Sequence, residues 1–414
     1  MSKHIVVIGT LDTKGPEVEY ICRLIRDRGH IPLIVDSGIK GVPTVTPDLS
    51  RHEVAAASGT TIGDLLAAGD KNAAIEAMTR GLERLALRLY GEGRLDGLLS
   101  IGGVQGTMMA TAAMRTLPVG VPKLMVSAVA NGQTAFGPFV GTKDVTIMHS
   151  VADITGLNAI TRAVFRQAVG AITGMAEMGP DPGQDDRPLI GITMAGVTTA
   201  CVMRAVPLLE ALGYDTVVFH CNGIGAKAME ELAADGRLAG ILDLSPHDVS
   251  DLLHGGIMPA HAGRFEASGR RGIPQVVAPG CADIVLYGPM SSVPEKARES
   301  KLVRHNPIHT HVKADRAQMR ETGAFIGQRL AASSGPAAVL IPLRGFSELN
   351  APGGPLYEPE SDAAFAEGAE GALTAAGGGA RTSLLRIDAH INDPEFAAAA
   401  VRELDRMIRE QRKA

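Results

Sequence analysis

The chain has 414 residues, 45% hydrophobic but only 3% aromatic, with 49 Gly and no Trp. That length exceeds one ordinary domain, and the composition suits tightly packed α/β layers rather than a β-sandwich or a base-stacking platform. A net charge of -5, a pI near 6.2 and the lack of a basic tract exclude the electrostatic footprint of a nucleic-acid binder.

The first predicted strand, Ile5–Ile8, ends in Gly9-Thr10-Leu11-Asp12-Thr13-Lys14-Gly15. Pro16 to Arg28 then carries apolar residues at helical spacing, with Pro16 suited to the first turn and Gly29 to the end. Ile31–Val35 is the next strand, so the chain opens as a parallel βαβ unit. Asp36 closes that strand, where an acid either bonds a ribose hydroxyl or starts a turn before Ser37-Gly38. Ser50 to Thr60 reads as loop and Asn72 to Tyr90 as an amphipathic helix.

Leu98–Ile101 is a strand that runs through Gly102-Gly103-Val104-Gln105-Gly106-Thr107 into a helix near Met108–Arg115. Strands at Lys123–Val126 and Val145–Met148 flank a polar, glycine-rich loop over Ala130–Gly137. A helix over Asn158–Met175 leads to a run rich in Pro, Gly and Asp. We place domain boundaries there: an N-terminal nucleotide-binding domain at 1–179, a linker at 180–186 and a second α/β domain at 187–414.

The second half restarts the rhythm with Leu189–Met194, a small-residue turn, a helix ending at Gly213 and a strand at Thr216–His220. It reads as an approximate internal repeat of the opening. Gly240–Leu244, Gln275–Ala278, Ala338–Pro342 and Thr382–Ile387 are further strands, and Pro394 to Arg412 is the closing helix. The expected fold is two Rossmann-like α/β domains with mostly parallel sheets flanked by helices.

The two glycine turns of the first domain carry the strongest functional signal. A glycine turn between a buried strand and a helix exposes backbone N–H groups, and the helix N-terminus favours negative charge. Gly9, Thr10, Asp12, Thr13 and Lys14 are the first-choice phosphate and metal contacts, and Gly102, Gly103, Gln105, Gly106 and Thr107 the second, with Asp36 beside them. Neither turn matches a standard fingerprint, and the same glycines would serve as plain strand-to-helix turns. In the second half His305, His309 and His311 form the densest histidine cluster, a candidate metal site with Asp315 as a further oxygen ligand. Arg344 and Glu348 follow a strand as a candidate anion-binding group and a candidate acid or base. Cys281 with His247 is a candidate nucleophile and base.

Cys22, Cys201, Cys221 and Cys281 form no C-x-x-C pair, so reduced thiols are expected. The N-terminus lacks the h-region of a signal peptide, and no apolar run reaches the ~20 residues that span a bilayer, so a cytoplasmic protein without membrane contact is expected.

The motifs Gly9–Gly15, Ser100–Thr107, Asp144–Asn158, Gly191–Thr199, His305-Asn306-Pro307, Pro342–Gly345, Ala351–Pro355 and His390–Pro394 occur in order along nearly the whole chain. In this pattern the chain resembles a widespread bacterial and fungal family of two-domain proteins. That family also supplies the N-terminal, ATP-binding region of the tomato mosaic virus resistance protein. The resemblance implies two Rossmann-like domains, a homodimer, and ATP, with Mg²⁺, in the N-terminal domain. It implies no established reaction. Phosphotransfer or nucleotide sensing is the leading expectation. The alternative is an enzyme acting on a small carbonyl or carboxylate metabolite in an interdomain cleft, metal-assisted or not.

Overall fold

Ile5, Val6, Val7 and Ile8 are all buried because both faces of their strand are covered. In the computed structural model, described over residues 1–131, 135–179, 187–377 and 381–413, that strand is β1 (His4–Gly9) of the first of two units, Met1–Gln184 and Asp185–Ala414. The predicted linker over 180–186 lies outside the described residues, as do Gly132, Gln133 and Thr134 of the predicted loop.

The first unit continues through α1 (Leu11–Asp27), β2 (Ile31–Asp36), α2 (Arg51–Ala57), α3 (Ile62–Ala68), α4 (Lys71–Gly91), β3 (Gly97–Gly102) and α5 (Val104–Thr116). It closes with β4 (Lys123–Ser127), α6 (Gly137–Val140), β5 (Thr146–His149) and α7 (Ala159–Met178). The five strands are parallel in the order β2-β1-β3-β4-β5, the doubly wound arrangement in which the chain leaves β1 toward one edge and returns on its other side. Ile5, Val7, Leu99 and Val126 pack under residues of α1 and α7, while Val6, Ile8, Leu98 and Met125 pack under α2, α4 and α5.

Two expectations for this unit need correcting. α1 begins at Leu11, so Asp12 to Gly15 are its first turn and Pro16 lies inside the helix. The segment read as loop from Ser50 contains α2, closed by a reciprocal capping box between Ser50 and Glu53.

The second unit holds β6 (Leu189–Met194), α8 (Thr199–Ala211), β7 (Asp215–His220), α9 (Ile224–Ala234), β8 (Gly240–Asp243), α10 (His247–His254), α11 (Glu266–Arg271) and β9 (Gln275–Val277). An inserted antiparallel sheet follows, made of β10 (Ile284–Tyr287), β11 (Leu302–Asn306) and β12 (His309–Lys313). The chain then forms α12 (Arg316–Ala331), β13 (Ala337–Pro342), α13 (Pro359–Ala375), β14 (Thr382–Ile387) and α14 (Pro394–Lys413). The main sheet is all parallel, in the order β14-β13-β9-β8-β6-β7. Counted from β6, its winding repeats that of the first unit and adds one strand, as the expected internal repeat requires.

Arg264 is fully buried among Glu230, Asp243 and Asp248, with Nη1 and Nε each 3.3 Å from Glu230 and Asp248 respectively and Nη2 bonded to Asp243. It clamps α9, β8 and α10 together. Truncating one member of such a group strands buried charge. Arg264→Leu is therefore expected to lower unfolding free energy by about 3–5 kcal/mol in urea titrations. A loss well below ~1 kcal/mol would contradict this role.

Candidate functional site

In a doubly wound sheet the loops after the first and third strands diverge and leave a crevice at the carboxyl edge. The first unit has a cavity of about 770 Å³ there. Thr10, Asp12, Thr13 and Lys14 line it from α1, and Gly102, Gly103, Gln105 and Gly106 from the β3–α5 turn. The two glycine motifs thus converge on one space. Ser37 to Lys40 close it after β2, and Asp153 enters from the segment after β5.

α1 and α5 open at this crevice, and neither has a side-chain N-cap. In the same unit α2, α3, α4 and α7 are capped by Ser50, Thr61, Asp70 and Asn158. α1 and α5 therefore present first-turn N–H groups and the positive end of the helix dipole to the cavity without a side chain from their own N-cap residues. Lys14 Nζ bonds the Ile154 carbonyl, and Gly156 N donates to Glu17 Oε1 at 2.6 Å, so the segment holding Asp153 is tied to α1. Lys14, Lys40 and Lys71 face the cavity together with Asp12, Asp70 and Asp153.

Three sequence-predicted residues stand behind the wall. Asp36 is 1% exposed and turned inward: its Oδ1 accepts from Leu11 N at 3.1 Å and Gly38 N at 2.9 Å. It braces the start of α1 instead of reaching a ribose. Thr107 is buried and hydrogen-bonded to Ser127 Oγ at 2.7 Å. A Cβ on Gly9 would sit 2.6 Å from Val18, so this glycine serves packing. The opposite wall was not legible as a site: Leu65, Leu66, Ile75 and Met109 make it apolar. Its signals are the cap residues Thr61 and Asp70, which set the start of α3 and α4, the helices carrying most of it.

The chain matches the model described as "Uncharacterised protein family (UPF0261) N-terminal domain" over residues 3–181, and the C-terminal domain model of the same family over residues 187–408. It belongs to the UPF0261 family. A UPF0261 protein of Clostridium tetani is 37% identical over 99% of this chain and 100% of its own length. One from Rhizobium meliloti is 40% identical over 96% of this chain and 98% of its own. The tomato (Solanum lycopersicum) ToMV susceptible protein tm-1(GCR26) is 31% identical over 97% of this chain and 55% of its own length. Among solved structures, UDP-GlcNAc 2-epimerase of Neisseria meningitidis aligns over 66% of this chain and 82% of its own at 13% identity and a TM-score of 0.24.

In the second unit of this UPF0261 protein the predicted candidates separate. His305 and His309 lie on β11 and β12 of a hairpin turned at Pro307-Ile308, and His305 stacks on His311 with ring centroids 4.8 Å apart. Burial, with His305, His247 and His309 nearby, holds the His311 imidazole down at about 4. Among the described residues no group of three His, Cys, Asp or Glu is placed to hold a metal. Asp315 is the N-cap of α12, bonded to the N–H groups of Ala317 and Gln318. Cys281 is 4% exposed, packs with Ala195, Ile284 and Leu356, and has its thiol pushed well up by burial. A thiolate nucleophile is disfavoured there. His247 leans on Asp251 at 3.6 Å, and no hydrogen bond joins it to Cys281 among the described residues. Arg344 forms a two-pronged pair with Asp388, both bonds 2.9 Å, and Glu348 is exposed, its N–H bonded to Val197 O.

Gly15 and Gly103 separate packing from access. A Cβ on Gly15 would collide with Thr44 Oγ1, whereas one on Gly103 would meet nothing within 4 Å. Gly15→Val should cost roughly 1–3 kcal/mol of stability through overpacking. Gly103→Val should melt within a degree or two of the parent, as its backbone (φ -82) suits any residue. Equal melting temperatures for the two variants would contradict the assignment.

Proposed function

We propose that the crevice of the first unit binds a nucleotide, ATP with Mg²⁺, as the ligand on which this protein acts or to which it responds. The observation that carries the reading is the pair of helices α1 and α5, which converge on one cavity without side-chain caps. A phosphate chain satisfies such N–H groups and is favoured by both dipoles. Gly103 leaves space for close approach to the backbone. Lys14, Lys40 and Lys71 supply charge for the phosphates. Asp12 is the carboxylate for Mg²⁺, an ion that takes one or two carboxylates and completes its octahedron with phosphate oxygens and water. The apolar wall of Leu65, Leu66, Ile75 and Met109 suits a base. The volume of about 770 Å³ lies within the usual range for small-molecule sites.

Calorimetric titration with ATP and Mg²⁺ tests the reading, with product analysis of the same samples. Micromolar binding is expected, weaker without Mg²⁺ and weaker in Lys14→Ala. In Gly103→Val, a folded protein, affinity should fall by about tenfold or more, about 1.4 kcal/mol. Absence of binding, or a Gly103→Val protein that binds as well as the parent, overturns it. ADP in the samples would make the protein a hydrolase or phosphotransferase.

A further inference from the structure

The second unit contains another cavity, of about 240 Å³, where β13 and β14 end and α13 begins. Its wall is mostly apolar, with Ile341, Phe346 and Ala366 prominent. One buried acid interrupts it: Asp362, 7% exposed.

Behind Asp362 lies a closed polar network. Lys313 Nζ of β12 is 2.6 Å from Asp362 Oδ1 and 3.6 Å from Asp283 Oδ2. Asn350 Nδ2 donates to both Asp362 oxygens at 2.9 and 2.8 Å, and Ser347 Oγ donates to Asp283 Oδ2 at 3.2 Å. With both acids ionised, one buried ammonium faces two buried carboxylates, which leaves one negative charge in excess. Two acceptors, Asp283 Oδ1 and Asn350 Oδ1, both fully buried, have no partner among the described residues. Buried carboxylates without compensating donors are costly, so the network is one positive group short. Asp362 is the member of the network that reaches the cavity.

We propose that this cavity binds a small organic cation: a primary ammonium on an apolar body, the ammonium against Asp362 and the body against Ile341, Phe346 and Ala366. A bare metal ion fits less well, because hard cations demand six or more oxygen ligands and this wall is mostly carbon. The charges at the rim do not compete. Arg386 is paired with Glu370 at 2.7 Å, and Glu367 with Arg316 and Arg320.

The bound cation also has to compete with a proton. Burial, reinforced by Asp283 and opposed by Lys313, holds the Asp362 carboxyl up at about 6. The charged groups around it are Lys313 of β12, Asp283 before β10, Glu367 one turn along α13 and Arg386 of β14. Below its pKa the carboxyl is neutral and must lose its proton to pair with an ammonium. Affinity should then fall by about tenfold per pH unit below about 6 and stay level above it.

The test is titration of the full chain with n-butylammonium chloride, with n-butanol and sodium butyrate as neutral and anionic probes of the same shape. Butylammonium should bind saturably in the millimolar range and outcompete both controls by about tenfold or more. Ala363→Leu places bulk at the exposed rim of the cavity and leaves the network intact, and it should abolish binding without changing the melting temperature. Asp362→Asn should abolish it too; if that protein does not fold, the pH profile of the parent and the Ala363→Leu result decide. The proposal is overturned by no saturable butylammonium binding, by butanol or butyrate binding equally well, by affinity that is flat through pH 6, or by unchanged affinity in Ala363→Leu.

Discussion

A parallel strand reaches its neighbour only by a crossover that covers one face of the sheet, so a sheet wound in both directions from its first strand must part its loops at that strand's carboxyl end. Both units obey this constraint with the same winding. What each unit does with the resulting crevice differs. In the first unit the crevice stays open, walled by α1, α5 and the α3–α4 region. In the second, the equivalent turns after β6 and β8 bond to each other: Thr198 Oγ1 lies 2.5 Å from Ser245 Oγ, and Thr193 Oγ1 receives Ser245 N at 3.0 Å while donating to Asp243 at 2.6 Å. Val197 O is then taken by Glu348 N and Asn392 Nδ2. One scaffold thus keeps an open cavity, and its counterpart spends the same position on internal hydrogen bonds.

The open crevice has an energetic cost. A side-chain N-cap typically contributes about 1 kcal/mol, and α1 and α5 forgo it. Asp36 recovers part of this by accepting Leu11 N from beneath. The remaining free N–H groups face the cavity, where an anion would satisfy them and stabilise the folded unit through mass action. α2, α3, α4 and α7 of the same unit are capped by their own residues.

The strands of both sheets were legible because burial on two faces makes them continuous apolar runs, which periodicity and flanking glycines mark well. The two motifs that meet at the crevice were legible for the same reason: each directly follows such a strand. The roles of individual residues were not. Gly15 and Gly103 are the same letter, but one yields to Thr44 and the other faces open space. Asp36 sits at the expected strand end, yet the start of α1 captures its carboxylate. α2 is hidden in a polar stretch whose one helix signal is the Ser50–Glu53 capping box. The β11–β12 hairpin hid behind Pro307, whose ring suits the turn and breaks the alternation that would have marked a strand pair. Cys281 and His247 follow the neighbouring strands β9 and β8, but burial, invisible in the sequence, packs the Cys281 thiol among Ala195, Ile284 and Leu356 while His247 leans on Asp251.

The second unit holds two buried clusters in which carboxylates outnumber cations, and hydrogen-bond satisfaction separates their roles. Around Arg264, all the carboxylate oxygens are engaged. Glu230 receives the N–H groups of Phe265 and Ser268, Asp243 receives Thr193, and Asp248 receives the Cys221 thiol, in addition to the guanidinium. Donors from the fold itself make up for the missing cations, and the cluster acts as a fastener. Around Lys313 the donors run out: Asp283 and Asn350 each keep a buried, unpartnered oxygen, and the adjoining carboxylate opens on a cavity. Evolution of a purely structural core has an easy remedy for such a deficit, since replacing a buried ion group with packed apolar residues is often neutral or stabilising. A network that keeps an excess of negative charge, with one of its carboxylates at a cavity wall, is one that a cation against Asp362 would neutralise.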